Sequence, residues 1–514
     1  MAHALGIDLG TTNVKVALVT DDGRLVAGAH RPLVTDRHGE SAEQDAEATW
    51  SAVVDAVRQV TAAAPDAAAA VVAIGICSQY SSIVAVDADA RPVAPMLMWQ
   101  DQRGTDQCFD IMLRDENAFG LWVERHGIPT IGSGLSLGHL LHLQIERPEV
   151  HARTVAWLEP MDYLTARCTG RITASQHSTY MFQLCDNRRI GATAYDPDLV
   201  RLAGIDADRL PPLIAVDAPV GPLLPAVAAE LGLPASAGVY AGTNDTATAA
   251  VATGASTPGR AGLAIGTTSV LVDGVDDFRV DLEHQLFSMP GPTSDGYVVC
   301  AENGLGGKVL EHVLEHVVYA ADELGDHRQD DPFAALEEVL AATDPTDDDV
   351  LFLPWLSGAL APGGSDAIRG GFVHMSLATT RRHMVRAVVE GIAHNLGWLL
   401  PHVERFTGTP ITEIAFTGGA ARSDAWCTVL ADILDRPVLA LPDSSGAIAR
   451  ATARLALVRH GVVEAQTTAD PGGTGGSGVR RYDPRPERRE RYAARQAQFE
   501  AAYAALLPIS EALR

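Results

Sequence analysis

The chain has 514 residues, too many for one hydrophobic core, so two large domains are expected. Apolar residues at 47% and charged residues at 20% are ordinary globular composition, and the most apolar runs, Val71–Ile76 and Ser82–Val86, are too short to span a membrane. A formal net charge of −26 gives a field of the wrong sign for nucleic acid or an anionic membrane as partner, yet leaves nucleotides open, because loops and Mg²⁺ can hold them locally.

The N-terminus enters a strand pattern directly, without the basic and apolar regions of a signal peptide. Six cysteines, at 77, 108, 168, 185, 300 and 427, form no CxxC pair and no metal-ligand spacing. Free buried thiols in a reducing, cytoplasmic compartment are therefore expected.

In chain order, Ala4–Leu9 reads as a strand, 10–13 as a turn and Val14–Val19 as a second strand. Asp22-Gly23 then marks a hairpin turn into Arg24–Ala29. Glu43–Thr61 reads as a helix, since Trp50, Val53, Val54, Val57 and Val60 recur at helical spacing, and Val71–Ile76 as a buried strand. A similar opening recurs mid-chain: Val239–Gly242, then Thr243-Asn244-Asp245 into an Ala-rich helix over Thr246–Thr253. Gly262–Ile265, a turn at 266–269 and Val270–Asp273 follow.

The strand–GTT–strand units at 7–16 and 263–272 look like one element used twice. That predicts a duplicated α/β domain with a cleft between the copies: residues 1–246, residues 247–480, and a tail at 481–514. An acidic surface excursion is expected at 321–349, a Gly-rich connector at 471–478, and a terminal amphipathic helix over Arg485–Leu507 with Tyr492, Phe499, Tyr503 and Leu506 as its apolar stripe.

Four segments carry chemistry. In Asp8-Leu9-Gly10-Thr11-Thr12-Asn13-Val14-Lys15, Gly10 permits a tight turn, Thr11 and Thr12 offer hydroxyls and amides to phosphate oxygens, and Lys15 offers positive charge. Asp8, at the strand end, can hold a hydrated Mg²⁺. An ordinary hairpin turn explains this segment equally well on its own. Gly266-Thr267-Thr268-Ser269 repeats the composition in the same context, and two such turns favour a phosphate clamp. Asp245 in Gly242-Thr243-Asn244-Asp245-Thr246 reads both as a helix N-cap and as a general base, and the helix dipole is expected to keep it ionised. Gly418-Gly419-Ala420, ahead of Ser423, forms a turn whose exposed backbone can lie against an adenosine.

Together these segments resemble the FGGY carbohydrate kinases of the sugar kinase/Hsp70/actin superfamily, most closely the xylulokinase branch. GIDLGTTNVKVAL (6–18) is similar to the family's first phosphate motif and Trp99-Gln100-Asp101-Gln102-Arg103 to its WxDxR-type substrate motif. Asp245 falls at the catalytic aspartate, IGTTS (265–269) at the second phosphate loop, LPWLSGALAP (353–362) in the C-terminal signature and FTGGAARSDAW (416–426) at the adenosine motif. The resemblance implies two ribonuclease-H-like domains with ATP and sugar in the cleft between them, and Mg²⁺ as the metal. It implies ATP at Gly10, Thr11, Thr12, Lys15, Gly266, Thr267, Thr268, Gly418, Gly419, Ala420 and Ser423. It places the sugar near Gln79, Tyr80, Ser81, Trp99, Asp101 and Asp245, and the metal near Asp8 and Asp245.

The substrate segment departs from its relatives. Xylulokinases typically carry Gln-Met-His-Gly where this chain has Gln79-Tyr80-Ser81-Ser82, so Ser81 replaces the expected histidine. Glycerol kinases carry Gln-Arg-Glu there, and Tyr80 and Ser81 supply neither charge, which disfavours glycerol. A five-carbon ketose is the leading expectation. His139 stands where many relatives have lysine. Relatives are often dimers, so a homodimer is expected without any residue that identifies its interface. Two other readings use the same motifs: an Hsp70-like peptide-binding switch, which needs a β-rich domain where only a helical tail follows residue 485, and a nucleotide-gated sensor, which predicts loss of Asp8, Asp245 or the phosphate turns.

Overall fold

The computed structural model describes residues 1–255, 257, 259–294, 296–346, 348–442, 446–464 and 478–514. Most of the expected connector, residues 471–477, lies outside the described residues.

The two GTT units build matching sheets. In the first, strands β1 (His3–Leu9), β2 (Asn13–Thr20) and β3 (Leu25–Pro32) form an antiparallel meander, closed at one end by Gly23 in the left-handed region. On its other edge β1 pairs in parallel with β4 (Val71–Ser78), which pairs in parallel with β5 (Gly238–Tyr240). The second sheet repeats the order. Strands β6 (Arg260–Ile265), β7 (Thr268–Val275) and β8 (Tyr297–Leu305) are antiparallel neighbours. β6 then pairs in parallel with β9 (Glu413–Gly418), and β9 with β10 (Val438–Ala440). The expected duplication is thus visible as two five-strand units with the same sequence of pairings.

The central strands are buried on both faces, as their nearly unbroken apolar runs require. Helix Ala46–Ala63 covers one sheet with Trp50, Val53, Val54, Val57 and Val60. It begins three residues later than the expected Glu43, because Ser41–Gln44 pairs as a strand with Asp36–His38 and with Met96–Leu97. Asp45 then caps the helix by accepting from the N–H groups of Glu47 and Ala48.

Two helices tie the halves together. Helix Asp245–Thr253 packs against strands of both sheets. Helix Ala447–Arg459, late in the chain, lies on β1 and β4 of the first sheet. Its approach is so close that a Cβ at Gly6 would stand 1.9 Å from Ala449 O and one at Gly75 2.3 Å from Thr452 O.

The terminal helix spans Arg489–Ala512 and buries Tyr492, Phe499 and Tyr503 as the stripe predicts. The 321–349 segment forms a small hairpin and helix Leu336–Ala342, mostly at the surface with Leu336 and Leu340 turned in. All six cysteines are free. No described helix is long and apolar enough to cross a membrane.

Candidate active site

Strand register assembles the site. Asp8 lies opposite Cys77 on β4, and Cys77 lies opposite Thr243 in the two-residue strand Thr243–Asn244. Three parallel strands therefore end together, and Asp8, Gln79 and Asp245 emerge from that one edge. The carboxyl edge of parallel strands is where open α/β sheets bind ligands. In the second sheet Ile265 lies opposite Gly418, so the loops at 266–268 and 419–420 leave a single edge in the same way.

Asp245 is the first helical residue and not the cap. Asn244 caps instead, its side chain accepting from Ala247 N at 2.7 Å. The expected effect of the dipole is also outweighed. Burial pushes the Asp245 carboxyl up to about 7, and the charges of Asp8 and Glu302 act in the same direction, against the Thr246 N–H. Asp8 is itself raised by burial, opposed by Lys15 and by the Cys77 thiol, whose Sγ lies 3.6 Å from its Oδ1. The edge thus holds two carboxyls that resist full ionisation together. Among the described residues no group of three His, Cys, Asp or Glu side chains forms a metal cage. Two carboxylates of hard oxygen character are nonetheless the donor set that a hydrated Mg²⁺ on phosphates uses.

The first phosphate turn is open: Thr12 is exposed and Gly10 and Thr11 are partly so. It is held from behind. Gly10 N donates to Asn13 O, Gln44 Nε2 donates to Thr11 O, and the Trp99 indole N–H donates to Thr11 Oγ1 at 2.9 Å. Trp99 thereby links the turn to the substrate segment.

At the edge of the second sheet, a cavity of about 420 Å³ is lined by Gly266, Thr267, Gly419, Ala420 and Ser423. Gly418 is not part of this lining and ends the strand just before it: at φ 99° a side chain would be strained, and a Cβ would lie 2.4 Å from Ile265 O. Ser423 also caps helix Asp424–Leu434 through Trp426 N. Phe333, Leu336 and Trp426 supply apolar walls and Lys308 a charge; of these only Trp426 falls within a motif singled out in the sequence, FTGGAARSDAW. The glycine cluster Gly304, Gly306 and Gly307 was the available signal, since Gly307 N donates to Gly266 O and fixes that loop.

The substrate candidates divide. Gln79 is buried, its Oε1 accepting from Ser82 Oγ while its Nε2 has no partner among the described residues. Ser81 sits in the left-handed region at φ 59°, a strained placement for serine. Tyr80 is partly buried within the influence of Cys300, Glu302 and Asp245. Asp101 stands apart. Its carboxylate is fully buried and occupied by Ala42 N and the Arg103 guanidinium, while Arg103 also reaches Glu43. Burial acts to raise the Asp101 carboxyl, but Arg103 and the Ala42 N–H hold it below its usual range. His139 is buried beneath it, 3.1 Å from Asp101 O, in a packing position.

His177, which the sequence reading also passed over, supports the catalytic segment. Its Nε2 accepts from Asn244 N at 3.1 Å, and its Nδ1 lies 2.7 Å from Pro290 O in the second half of the chain. Burial holds its pKa down to about 4, so the neutral ring donates on one side and accepts on the other.

Comparison with known proteins identifies the family. The family model described as the FGGY family of carbohydrate kinases, N-terminal domain, matches residues 3–252, and the corresponding C-terminal domain matches residues 264–458. The chain is 28% identical over 448 residues to the xylulose kinase of Bacillus subtilis, covering 87% of this chain and 86% of that protein. It is 24% identical over 445 residues to the gluconokinase of the same organism, covering 86% and 85%. Among solved structures, a xyloylose kinase from Brucella ovis superposes with a TM-score of 0.86 at 25% identity, covering 99% of this chain and 100% of that one.

Proposed function

The chain belongs to the FGGY family of carbohydrate kinases, and from that premise we propose that it transfers the terminal phosphoryl group of ATP to a hydroxyl of a pentulose such as xylulose, with Asp245 as the general base. The observation that carries the reading is the position of Asp245, at the shared strand edge with Asp8, where burial raises its own carboxyl to about 7. A base poised near the working pH is suited to accept a proton as the acceptor oxygen attacks.

The cavity lined by Gly266, Thr267, Gly419 and Ala420 holds the adenosine end of the nucleotide, and the phosphates extend toward Gly10–Thr12 and Lys15. Mg²⁺, which suits the oxygen donors Asp8 and Asp245, neutralises phosphate charge when bound. The acceptor hydroxyl lies against Asp245 and hydrogen-bonds through the unpartnered Gln79 amide. A new O–P bond forms, the β–γ bridge breaks toward ADP, and the hydroxyl proton passes to Asp245. Positioning and electrostatics supply most of the rate, and closure of the cleft excludes water as a competing acceptor. The identities of the relatives support a sugar acceptor, and the xylulose kinase likeness supports the pentulose.

A coupled ADP-release assay across ketoses, aldoses and polyols tests this. One acceptor raises turnover far above the sugar-free rate, and Asp245→Ala abolishes the gain. Turnover that no acceptor stimulates contradicts the reading.

A further inference from the structure

A second cavity, of about 480 Å³, lies near Asp245, which is not itself part of its lining. That volume is in the range that drug-sized ligands fill, roughly 300–1,000 Å³. Tyr80, Cys300 and Glu302 line the end nearest Asp245, and Tyr80 and Glu302 lie close enough for their charges to interact with it.

The walls of this cavity are unlike those expected of a sugar site. Phe119, Ile128 and Ile131 line it from the first half of the chain, and Leu282, Phe287 and Met289 from the second. Phe119, Ile131 and Leu282 are each more than 40% exposed, at 43%, 44% and 44%, so apolar surface faces solvent on both sides of the opening. Away from Glu302 the polar lining is sparse. Gln285 is one member. Another is Tyr180, only 4% exposed, whose hydroxyl has no partner among the described residues.

A ligand whose every carbon carries a hydroxyl would set most of those groups against Phe, Ile, Leu and Met. Each hydroxyl buried without a partner costs on the order of its lost hydration, which is how sites reject ligands. An apolar substituent has the opposite balance. It covers exposed side chains on both walls, and a single ether or carbonyl oxygen on it satisfies the Tyr180 hydroxyl.

We propose that the acceptor is a polyhydroxy compound of pentulose size that carries an alkyl or aryl substituent, with its hydroxylated end at Gln79 and Asp245 and the substituent in this cavity. The proposal deepens the kinase reading above and rests on it.

D-xylulose compared with its 1-O-butyl and 1-O-benzyl ethers tests it, by ADP release and by the ligand-induced rise in melting temperature. The ethers are expected to exceed D-xylulose in kcat/KM by about tenfold or more, the scale on which a few apolar contacts discriminate. The double variant Phe119→Ser, Ile131→Ser, altered at exposed positions that carry little of the core, is expected to bring that ratio toward one. D-xylulose matching or exceeding both ethers in kcat/KM and in thermal shift overturns the proposal. If no acceptor is phosphorylated, the kinase reading fails separately and the thermal shift still decides. A larger shift with the ethers that the double variant loses supports the apolar site, and equal shifts refute it.

Discussion

Replacing Asp245 by asparagine alters two measurable properties in opposite directions. Ionising this carboxyl in the folded chain is opposed by a pKa raised from 3.8 to about 7. At about 1.4 kcal/mol per pH unit the penalty is on the order of 4 kcal/mol for a fully buried group, and about 2 kcal/mol once solvent reaching this partly buried side chain is allowed for. The folded chain holds the Asp245 proton more tightly than the unfolded chain does. Its contribution is therefore favourable below about pH 4, lost progressively as pH rises toward 7, and absent above that. Asparagine keeps the shape and an oxygen for the Thr246 hydroxyl, which lies 3.4 Å from Oδ1, and carries no charge. Melting temperatures of the two proteins measured from pH 5 to 8.5 should thus diverge with pH, the variant becoming the more stable by a few degrees at and above pH 7. Turnover should fall by about 10²–10⁴ at and above pH 7, the contribution of a positioned base, and by less at pH 5, where Asp245 of the native protein is already largely protonated. A variant no more stable at pH 8 than the native protein, or a difference that does not change with pH, refutes the assignment of a raised pKa to Asp245.

Four further outcomes are expected. In the native protein kcat/KM should rise about tenfold per pH unit below pH 7 and level off above it, because only the ionised Asp245 accepts a proton; a flat profile from pH 5 to 8 counts against this. Gly418→Ala places a Cβ 2.4 Å from Ile265 O at a φ of 99°, so the KM for ATP should rise by about tenfold or more while acceptor KM changes little, as steady-state kinetics with each substrate varied would show. His177→Ala leaves Asn244 N unpaired next to the base and should lower kcat about 10- to 100-fold with the pH midpoint displaced, whereas His177→Gln, which can both accept and donate, should recover much of the loss. Asp101→Ala leaves Arg103 with Glu43 as its one remaining carboxylate partner and Ala42 N unpaired, and should cost about 1–3 kcal/mol in urea denaturation, with the loss appearing in stability before ATP affinity.

The strands of both phosphate units were legible because their apolar runs are short and bounded by Gly-Thr-Thr turns, a local pattern that tertiary packing does not overrule. The edge where Asp8, Gln79 and Asp245 converge follows from the same strands once they pair in parallel. What the sequence hid depends on partners distant along the chain. The start of the first long helix moved because Ser41–Gln44 finds strands on both sides. Asp245 lost its expected cap role to Asn244, one residue earlier, a distinction within the error of any boundary read from pattern. Its pKa depends on burial and on Asp8 and Glu302, which lie 237 residues before it and 57 after it by their numbers in the chain. Asp101 reads as a substrate residue by motif, but its oxygens are already taken by Ala42 and Arg103. His177 has no local signature, because it acts by joining Asn244 to Pro290. The apolar cavity draws its walls from five separate stretches between Tyr80 and Ala361, and no single stretch shows it.

The central claim, phosphoryl transfer to a sugar hydroxyl with Asp245 as base, is tested most directly by following the terminal phosphoryl group of γ-labelled ATP into product, with native protein and Asp245→Asn side by side. The account predicts a labelled phosphosugar from the native protein, one phosphate ester per ADP released, and a loss of at least about 10² in its rate of formation with the variant. Label appearing only as inorganic phosphate, or a variant that forms the phosphosugar at the native rate, contradicts it.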